Sequence, residues 1–414
     1  MLKTSALIAG ATACGQLIAF IGSLVLVRIY TPEAMGIYST IVAISTCLAP
    51  LISGRLEMAL PIVQNDRSAV KLAALSIFGA LLISAIIAGS IAFASLLDSP
   101  ISTIEPMWWW ALPLVSFSLV CFLCGNQLAV RFGSYRSLAI RGVLYPSLMS
   151  GAQVLFGLAM FGSSGLVWGL AFGHIVTAAT LWAPAIKRTR NRSGRSYSSK
   201  RLLRKYKEFP IFLAPSGVVN ALSVQLPQLG IALMFGMAIA GQFGMMAKIL
   251  AVPVALVGQS IGYVYAGEIA RLKRDGTSSI VRIFDRLAIR LAAVALLMVC
   301  FIVTLGEPVF AWLLGEPWRM AGQLAVMYSA STALQLVTAP LSQTLIIAGH
   351  TKSQLAVDLG RTLLILATFI IMSNLDASVE ATVLAVGLSS AGGYLILWFL
   401  NRRAAANIQG SNGG

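Results

Sequence analysis

Apolar positions in this chain come in long unbroken runs separated by short polar segments, and neither the alternation of strands nor the narrow stripe of surface helices is visible. About 20 consecutive apolar residues let an α-helix cross the hydrocarbon core of a bilayer. Such runs fall at 5–28, 36–60, 72–97, 107–130, 142–161, 165–186, 211–234, 238–265, 287–305, 322–347, 354–373 and 378–400. The pattern predicts an all-α polytopic membrane protein with about 12 transmembrane helices. Pro50, Pro113, Pro146, Pro215, Pro227, Pro253 and Pro340 fall inside these runs. Each removes a backbone donor and bends its helix, which a bundle tolerates where neighbours or water satisfy the freed carbonyls.

The polar segments alternate in charge. Cytoplasmic loops carry the excess of Lys and Arg. With the N-terminus inside, that side receives Lys3, then Arg55, Arg67 and Lys71, then Arg131, Arg136 and Arg141, then the stretch from Lys187 to Lys207. It next receives Arg271, Lys273, Arg274, Arg282, Arg286 and Arg290, then Lys352 and Arg361, and finally Arg402 and Arg403. The outside keeps Arg28 and Arg319, so both termini are expected in the cytoplasm. Trp108, Trp109 and Trp110 follow Glu105 and Pro106 where helix 4 leaves the outer interface, as in an aromatic belt.

The longest polar segment divides the chain into a six-helix lobe at 1–186, a basic cytoplasmic linker at 187–209, a second six-helix lobe at 210–403 and a flexible tail at 404–414. Tyr30, Gly36 and Tyr38 match Phe235, Gly241 and Phe243 at a constant offset of 205, which places a Gly-containing outer turn in each half. Repeats in the same orientation are one of the recurring transporter layouts.

Composition agrees: 58% of the 414 residues are hydrophobic and 11% charged, against about a quarter charged in soluble domains. The net charge of +16 sits between spans and not on one amphipathic face, which is a topology signal and gives no reason to expect nucleic acid. The basic cytoplasmic loops are expected to meet anionic lipids. Cys14, Cys47, Cys121, Cys124 and Cys300 all lie in apolar runs, so the CxxC at Cys121 and Cys124 reads as buried free thiols, with no disulfide framework, metal site or cofactor indicated. The first run, from Ser5 to Val27, is too long for the apolar core of a cleaved signal, and the small residues before Cys14 lack the polar gap of a lipoprotein site. Helix 1 is expected to be retained.

A charge at the bilayer centre costs about 2.5–3.5 kcal/mol on insertion scales, so ionisable residues inside spans are candidates for function. Lys248 is the deepest, about ten residues into helix 8, with no central Asp or Glu in any span to pair with it. It either faces water or an anionic ligand, or snorkels. Arg55 and Glu57 lie near the inner end of helix 2 and can pair locally or serve a ligand; Arg28 ends helix 1 and can anchor there or bind. Asp358 and Arg361, at i and i+3, read as a structural pair. His174 fits proton coupling or hydrogen-bonded packing. Gln16, Gln225, Gln242, Gln259 and Gln343 can line a sugar path or join helices. Two histidines far apart, without clustered carboxylates, do not make a catalytic or metal centre, so transport is expected and catalysis is not.

Four stretches resemble the polysaccharide and O-antigen flippases of the multidrug/oligosaccharidyl-lipid/polysaccharide exporter superfamily: LVLVRIYTPEAMGIYS across the first outer turn, GRLEMALPIV on helix 2, YKEFPIFLAPSGVVNALSVQLP entering helix 7, and GQFGMMAKILAVPVALVGQSIGYVY on helix 8. The resemblance implies two six-helix lobes around a central cavity and alternating access. It further implies export of an undecaprenyl-diphosphate-linked oligosaccharide across a bacterial inner membrane, with a polysaccharide polymerase and glycosyltransferases as partners. Arg55, Leu56 and Glu57 match the family's RYE-type segment except that Leu replaces the aromatic residue. The peptidoglycan-precursor branch carries arginines on helices 1, 2 and 8, where this chain has Arg28, Arg55 and Lys248. These three are therefore the expected diphosphate contacts, Glu57 their support and His174 a coupling candidate; a lysine lacks arginine's two-pronged fork. The rivals are a multidrug cation antiporter of the same fold, which calls for central acids, and a membrane glycosyltransferase or polymerase, which calls for a large outer loop.

The charge alternation makes a direct prediction. Cysteines introduced at 187–209 or 271–285 should react with an impermeant maleimide only from the cytoplasmic side, and those at 100–105 or 306–319 only from outside. Labelling of 187–209 from outside would overturn the topology.

Overall fold

The computed structural model describes residues 2–96, 107–190, 197–275, 280–348 and 351–410, and these residues are helical nearly throughout. They contain ten segments long and apolar enough to cross a membrane. One of these, Phe209–Leu256, is 48 residues long and bends at Gly236, so it supplies two helices. A further helix of membrane length, Tyr135–Leu158, brings the total among the described residues to twelve. Its apolar run is shortened by Arg136 and Arg141 at its start, and it packs between the first and sixth helices. The outer loop at 97–106 lies outside the described residues.

The chain divides into two compact units, Met1–Gln225 and Leu226–Gly414. Unit 1 contains α1 (Leu2–Ile29), α2 (Pro32–Ser53), α3 (Asp66–Leu96), α4 (Met107–Arg131), α5 (Tyr135–Leu158), α6 (Ser163–Arg190) and the short α7 (Ser199–Lys205). Then follow α8 (Ala214–Asp275), α9 (Ile280–Leu314), α10 (Arg319–Leu341), α11 (Gln343–Ile347), α12 (Thr351–Asn374) and α13 (Val379–Gly410). In unit 1, α4 packs on α3 and α6 while α5 packs on α6; in unit 2, α10 packs on α9 and α13 while α12 packs on α13. The same order of packing in each unit agrees with the internal repeat.

Small residues allow the closest approaches. Gly15 and Gly22 of α1 face Gly142 and Ser150 of α5; a Cβ on Gly22 would meet Ser150 Oγ at 2.5 Å. Apolar side chains gain nothing by leaving lipid for one another, so close backbone packing of this kind is what holds membrane helices together.

The structure corrects several expected boundaries. The second helix ends at Ser53, and residues 56–62 form a 3-10 turn. The segment 187–209 was expected as a linker, but 197–206 is docked on unit 1: Leu202 and Tyr206, four residues apart on α7 and its end, are buried with Leu60, Leu72 and Leu128. Lys71 donates to Tyr197 O at 3.2 Å, and Tyr197 N donates to Ser68 Oγ at 3.1 Å. The expected tail is helical through Gly410, because Ala404, Ala405 and Ile408 bury one face of α13. The ninth helix runs well beyond 287–305, since Ile280, Phe284, Ala288, Leu291 and Ala295 form a continuous buried stripe.

The two outer turns of the repeat are built differently. At the first, Thr31 Oγ1 accepts from Ala34 N at 3.2 Å and Pro32 opens α2. At the equivalent position, offset by 205, stands Gly236 with φ 81° and ψ 177°, a conformation open in practice only to glycine. Gly36 and Gly241 are buried within helices and do not form the turns. Nothing lies within 4 Å of a Cβ placed on Gly236 or on the helical Gly151. Gly236→Ala should therefore cost about 1–3 kcal/mol through backbone strain, whereas Gly151→Ala should leave the melting temperature unchanged or raise it. Equal melting temperatures for wild type and Gly236→Ala would show that the bend is not held by this residue.

Candidate functional site

The most unusual backbone in unit 1 carries Arg55. Gly54 caps α2 with φ 58°, its N–H donating to Leu51 O, and Arg55 follows with φ 53°. A side-chain-bearing residue in this left-handed region costs roughly 1–2 kcal/mol. The pair of left-handed residues turns the chain, so that Leu56, Ala59 and Leu60 go into the core and the Arg55 side chain stays 27% exposed.

Freed carbonyls at this break are satisfied from neighbouring helices. Ser76 Oγ donates to Ser53 O at 3.1 Å, and Arg131 donates to Leu60 O at 2.9 Å and Pro61 O at 3.3 Å. Arg131 also pairs with Asp66 at 3.1 Å. This clasp was not foreseen from sequence, where Arg131 counted only as a loop charge; the signal available was an arginine ending a helix near a Pro-containing apolar run.

Two departures from α-helix meet beside Arg55. The chain enters α8 through a π-helical turn, Phe209–Leu213, with Pro210 near its start. A Cβ on Gly54 would lie 3.4 Å from Pro210 Cβ, and one on Gly217 would lie 2.5 Å from Arg55 Nε. Glycine at 217 is what lets the guanidinium lie against the helix backbone. Thus GRLEMALPIV and the APSG of the segment entering α8, far apart in sequence, come together.

Glu57 is only 2% exposed, with Oε1 3.9 Å from Arg55 Nη1. That separation is an ion pair without a hydrogen bond. Oε2 has no hydrogen-bond partner. Burial pushes the Glu57 carboxyl above its ordinary value, with Ser53 and Arg55 opposing in part.

Arg28 lies exposed in the last turn of α1, where a cation complements the helix dipole. Arg55 follows the far end of α2. The 22 residues of α2 separate them by roughly 30 Å at 1.5 Å per residue, so one diphosphate does not bridge both.

His174 joins three helices. Its Nδ1 is 3.1 Å from Ser118 Oγ on α4 and its Nε2 3.2 Å from Tyr145 Oη on α5. The ring also packs against Tyr145 and Phe122, with centroids at 5.2 and 5.3 Å. Both ring nitrogens meet hydroxyls.

In unit 2, Lys248 is half-buried about 18 Å along its helix from the Gly236 bend. It makes no hydrogen bond or ion pair with the described residues. Asp358 and Arg361 are both buried and stand 4.0 Å apart, with the guanidinium 5.0 Å from the Tyr394 ring centre, in keeping with a structural pair. Gln242 also joins helices: its Nε2 donates to Pro317 O at 2.7 Å and its Oε1 accepts from Ala321 N at 3.1 Å. The side chain of Gln259 lies outside the described residues. The five cysteines are free, with Cys47 and Cys124 buried.

A two-unit bundle of membrane-length helices, broken at a basic turn, defines a multi-pass membrane protein with the fold of the multidrug/oligosaccharidyl-lipid/polysaccharide exporter superfamily. Solved structures share that fold. A lipid II flippase MurJ in its inward closed conformation superposes with a TM-score of 0.73 at 11% identity, covering 100% of this chain and 91% of that one. An inward-facing multidrug resistance transporter of the MATE family gives 0.66 at 13%, covering 95% of each. A superfamily transporter from Pyrococcus furiosus gives 0.64 at 13%, covering 98% and 96%. Within this fold the chain belongs to a particular family: residues 25–323 match the polysaccharide biosynthesis protein family model. No curated protein matches the sequence.

The raised carboxyl of Glu57 sets the sign of a pH effect. Between its unfolded and folded values the folded protein holds the proton more tightly, so this group's stabilisation is present at low pH and lost as pH rises through the folded value. Glu57→Gln should flatten that part of the stability profile and gain on wild type as pH increases, read by thermal melts from pH 5 to 9. A variant that loses ground to wild type with rising pH would instead mean that Arg55 dominates and the carboxylate is the favoured form.

Proposed function

We propose that the protein is a flippase for an oligosaccharide carried on undecaprenyl diphosphate, moving it by alternating access from the cytoplasmic to the periplasmic leaflet of a bacterial inner membrane. An O-antigen or exopolysaccharide repeat unit is the substrate class. Membership of a polysaccharide biosynthesis family supports the sugar. The observation that carries the diphosphate is Arg55, held part-exposed in a left-handed turn with its counter-charge 3.9 Å away and no hydrogen bond to it.

A guanidinium so held can turn to a phosphate oxygen pair without first breaking a short bond. Glu57 orients it. Lys248 offers a second positive charge within its helix, and Arg28 a third, beyond the far end of α2 from Arg55. The polyprenyl tail stays in lipid and the sugar travels through water; no covalent step is needed. A cation exporter would want unmatched acids, whereas Glu57 and Asp358 each stand within 4.0 Å of an arginine.

Reconstituted flipping of a labelled lipid-linked oligosaccharide, with melting temperatures measured on the same preparations, tests this. Losing one charged contact to phosphate should slow transport about 10- to 100-fold in Lys248→Ala or Arg55→Ala, without lowering stability in Lys248→Ala, since an unpaired intramembrane charge is costly. Lys248→Arg and Arg55→Lys should keep partial activity, and Lys248→Glu should be inactive. Full flipping by Lys248→Glu would remove that residue from the mechanism. Destabilised Lys248→Ala with normal transport per folded molecule would make the lysine structural.

A further inference from the structure

A groove in unit 2 has a composition that the transport reading does not use. Two helix faces meet there at helical spacing: Ile261, Val264, Tyr265 and Glu268 of α8, and Ile283, Arg286, Leu287 and Arg290 of α9. They enclose about 440 Å³. The walls are apolar, and Val264, 75% exposed, forms an open lip. Tyr265 Oη is engaged with Thr344 Oγ1 at 2.6 Å, so the tyrosine offers the groove only its ring.

Two arginines one turn apart stand at one wall. The nearby acids are already taken by other arginines: Glu268 by Arg271 at 2.6 Å, and Asp285 by Arg402 at 2.8 and 2.9 Å. Arg286 and Arg290 are exposed and have no ion pair among the described residues. The buried stripe Ile280, Phe284, Ala288 and Leu291 occupies the opposite side of α9, so the arginines cannot turn into the core.

Depth completes the picture. From Leu291 to Leu314 the helix carries a single charge, Glu307, and these 24 residues span about 36 Å, enough to cross the hydrocarbon. Arg290 and Arg286 therefore sit where the apolar run gives way to the headgroup region, with the groove beside them and its Ile261 end toward the apolar span Phe209–Leu256.

We infer that this groove is a binding site for an anionic phospholipid of the bilayer, its phosphate on Arg286 and Arg290 and one acyl chain between α8 and α9. A glycerophospholipid matches both parts of the site at once, a phosphate at the interface joined to an apolar chain below it. The site stands independently of which molecule the protein transports.

Full-length protein in phosphatidylcholine nanodiscs containing phosphatidylglycerol, read by native mass spectrometry, tests the assignment. Wild type should retain phosphatidylglycerol over phosphatidylcholine. At about fivefold per basic residue, Arg286→Gln/Arg290→Gln should lower that retention roughly 30-fold. Val264→Trp, which fills the groove and keeps both charges, should lower it as well, and Arg286→Lys/Arg290→Lys should keep much of it, which separates binding from misfolding. The charge-matched control Arg204→Gln/Lys207→Gln, on the exposed face around α7, should lose much less retention than Arg286→Gln/Arg290→Gln. Equal loss in that control would mean a diffuse basic surface and overturn the proposal, as would full retention in Val264→Trp or no preference for phosphatidylglycerol. Displacement by sugar-free undecaprenyl diphosphate but not by added phosphatidylglycerol would make the groove a substrate station and overturn the phospholipid assignment; competition by inorganic phosphate would reduce it to an anion site.

Discussion

A backbone in lipid has no water to complete its hydrogen bonds, so every amide and carbonyl within the membrane must find a partner inside the protein. That requirement makes the chain helical nearly throughout and gives each departure from helix an unusual weight. The break after Ser53 survives because Ser76 and Arg131 take up the carbonyls of Ser53, Leu60 and Pro61. A neighbouring departure, the π-helical turn at Phe209–Leu213, packs on the same place. Two irregular turns supported by their neighbours produce what a continuous helix cannot, a cation aimed away from its own helix axis with an acid buried behind it.

The two described arginines with nearly buried side chains in spans, Arg131 and Arg361, are each tied to an acid. Arg131 is tied to Asp66 and to carbonyls, and Arg361 to Asp358 and the Tyr394 ring. Such pairs are structural, because removing one partner leaves an uncompensated buried charge. Lys248 has no such tie to the described residues. Arg55 lies between the two classes: it has a partner, at a distance too long for a hydrogen bond. His174, by contrast, is fully engaged by two hydroxyls, and its geometry is that of a staple between α4, α5 and α6.

Hydropathy made the spans legible because apolar runs and bilayer thickness share one length scale. It concealed what depends on direction. The run through Leu56–Val63 stays apolar after α2 has ended, so the turn at Arg55 was read as helix; Gly54, followed by Pro61, was the sign of a stop. The ends of α9 and α13 escaped because an amphipathic extension has low mean hydropathy, although its buried face, as in Ile280, Phe284 and Ala288, is regular. Leu202 and Tyr206 were hidden in a basic stretch in the same way. The i, i+3 pair Asp358–Arg361 was readable because it is local. Arg55 against Gly217 was not, since no local pattern tells which distant glycine will receive a guanidinium.

The spacing of the basic residues bears on how a flippase of the proposed kind could work. A site that held a diphosphate tightly at one level would stop its passage, since conduction along a path requires binding strong enough to enter and weak enough to leave. Arg28 and Arg55 flank opposite ends of α2, roughly 30 Å apart, and Lys248 stands within the length of its own helix. Arg28 and Arg55 do not form one cage. A lysine also suits a passing contact better than an arginine, because it attracts phosphate as a point charge without the fork that fixes two oxygens at once. On the proposed function, dispersed and modest attraction is the property that lets the diphosphate move.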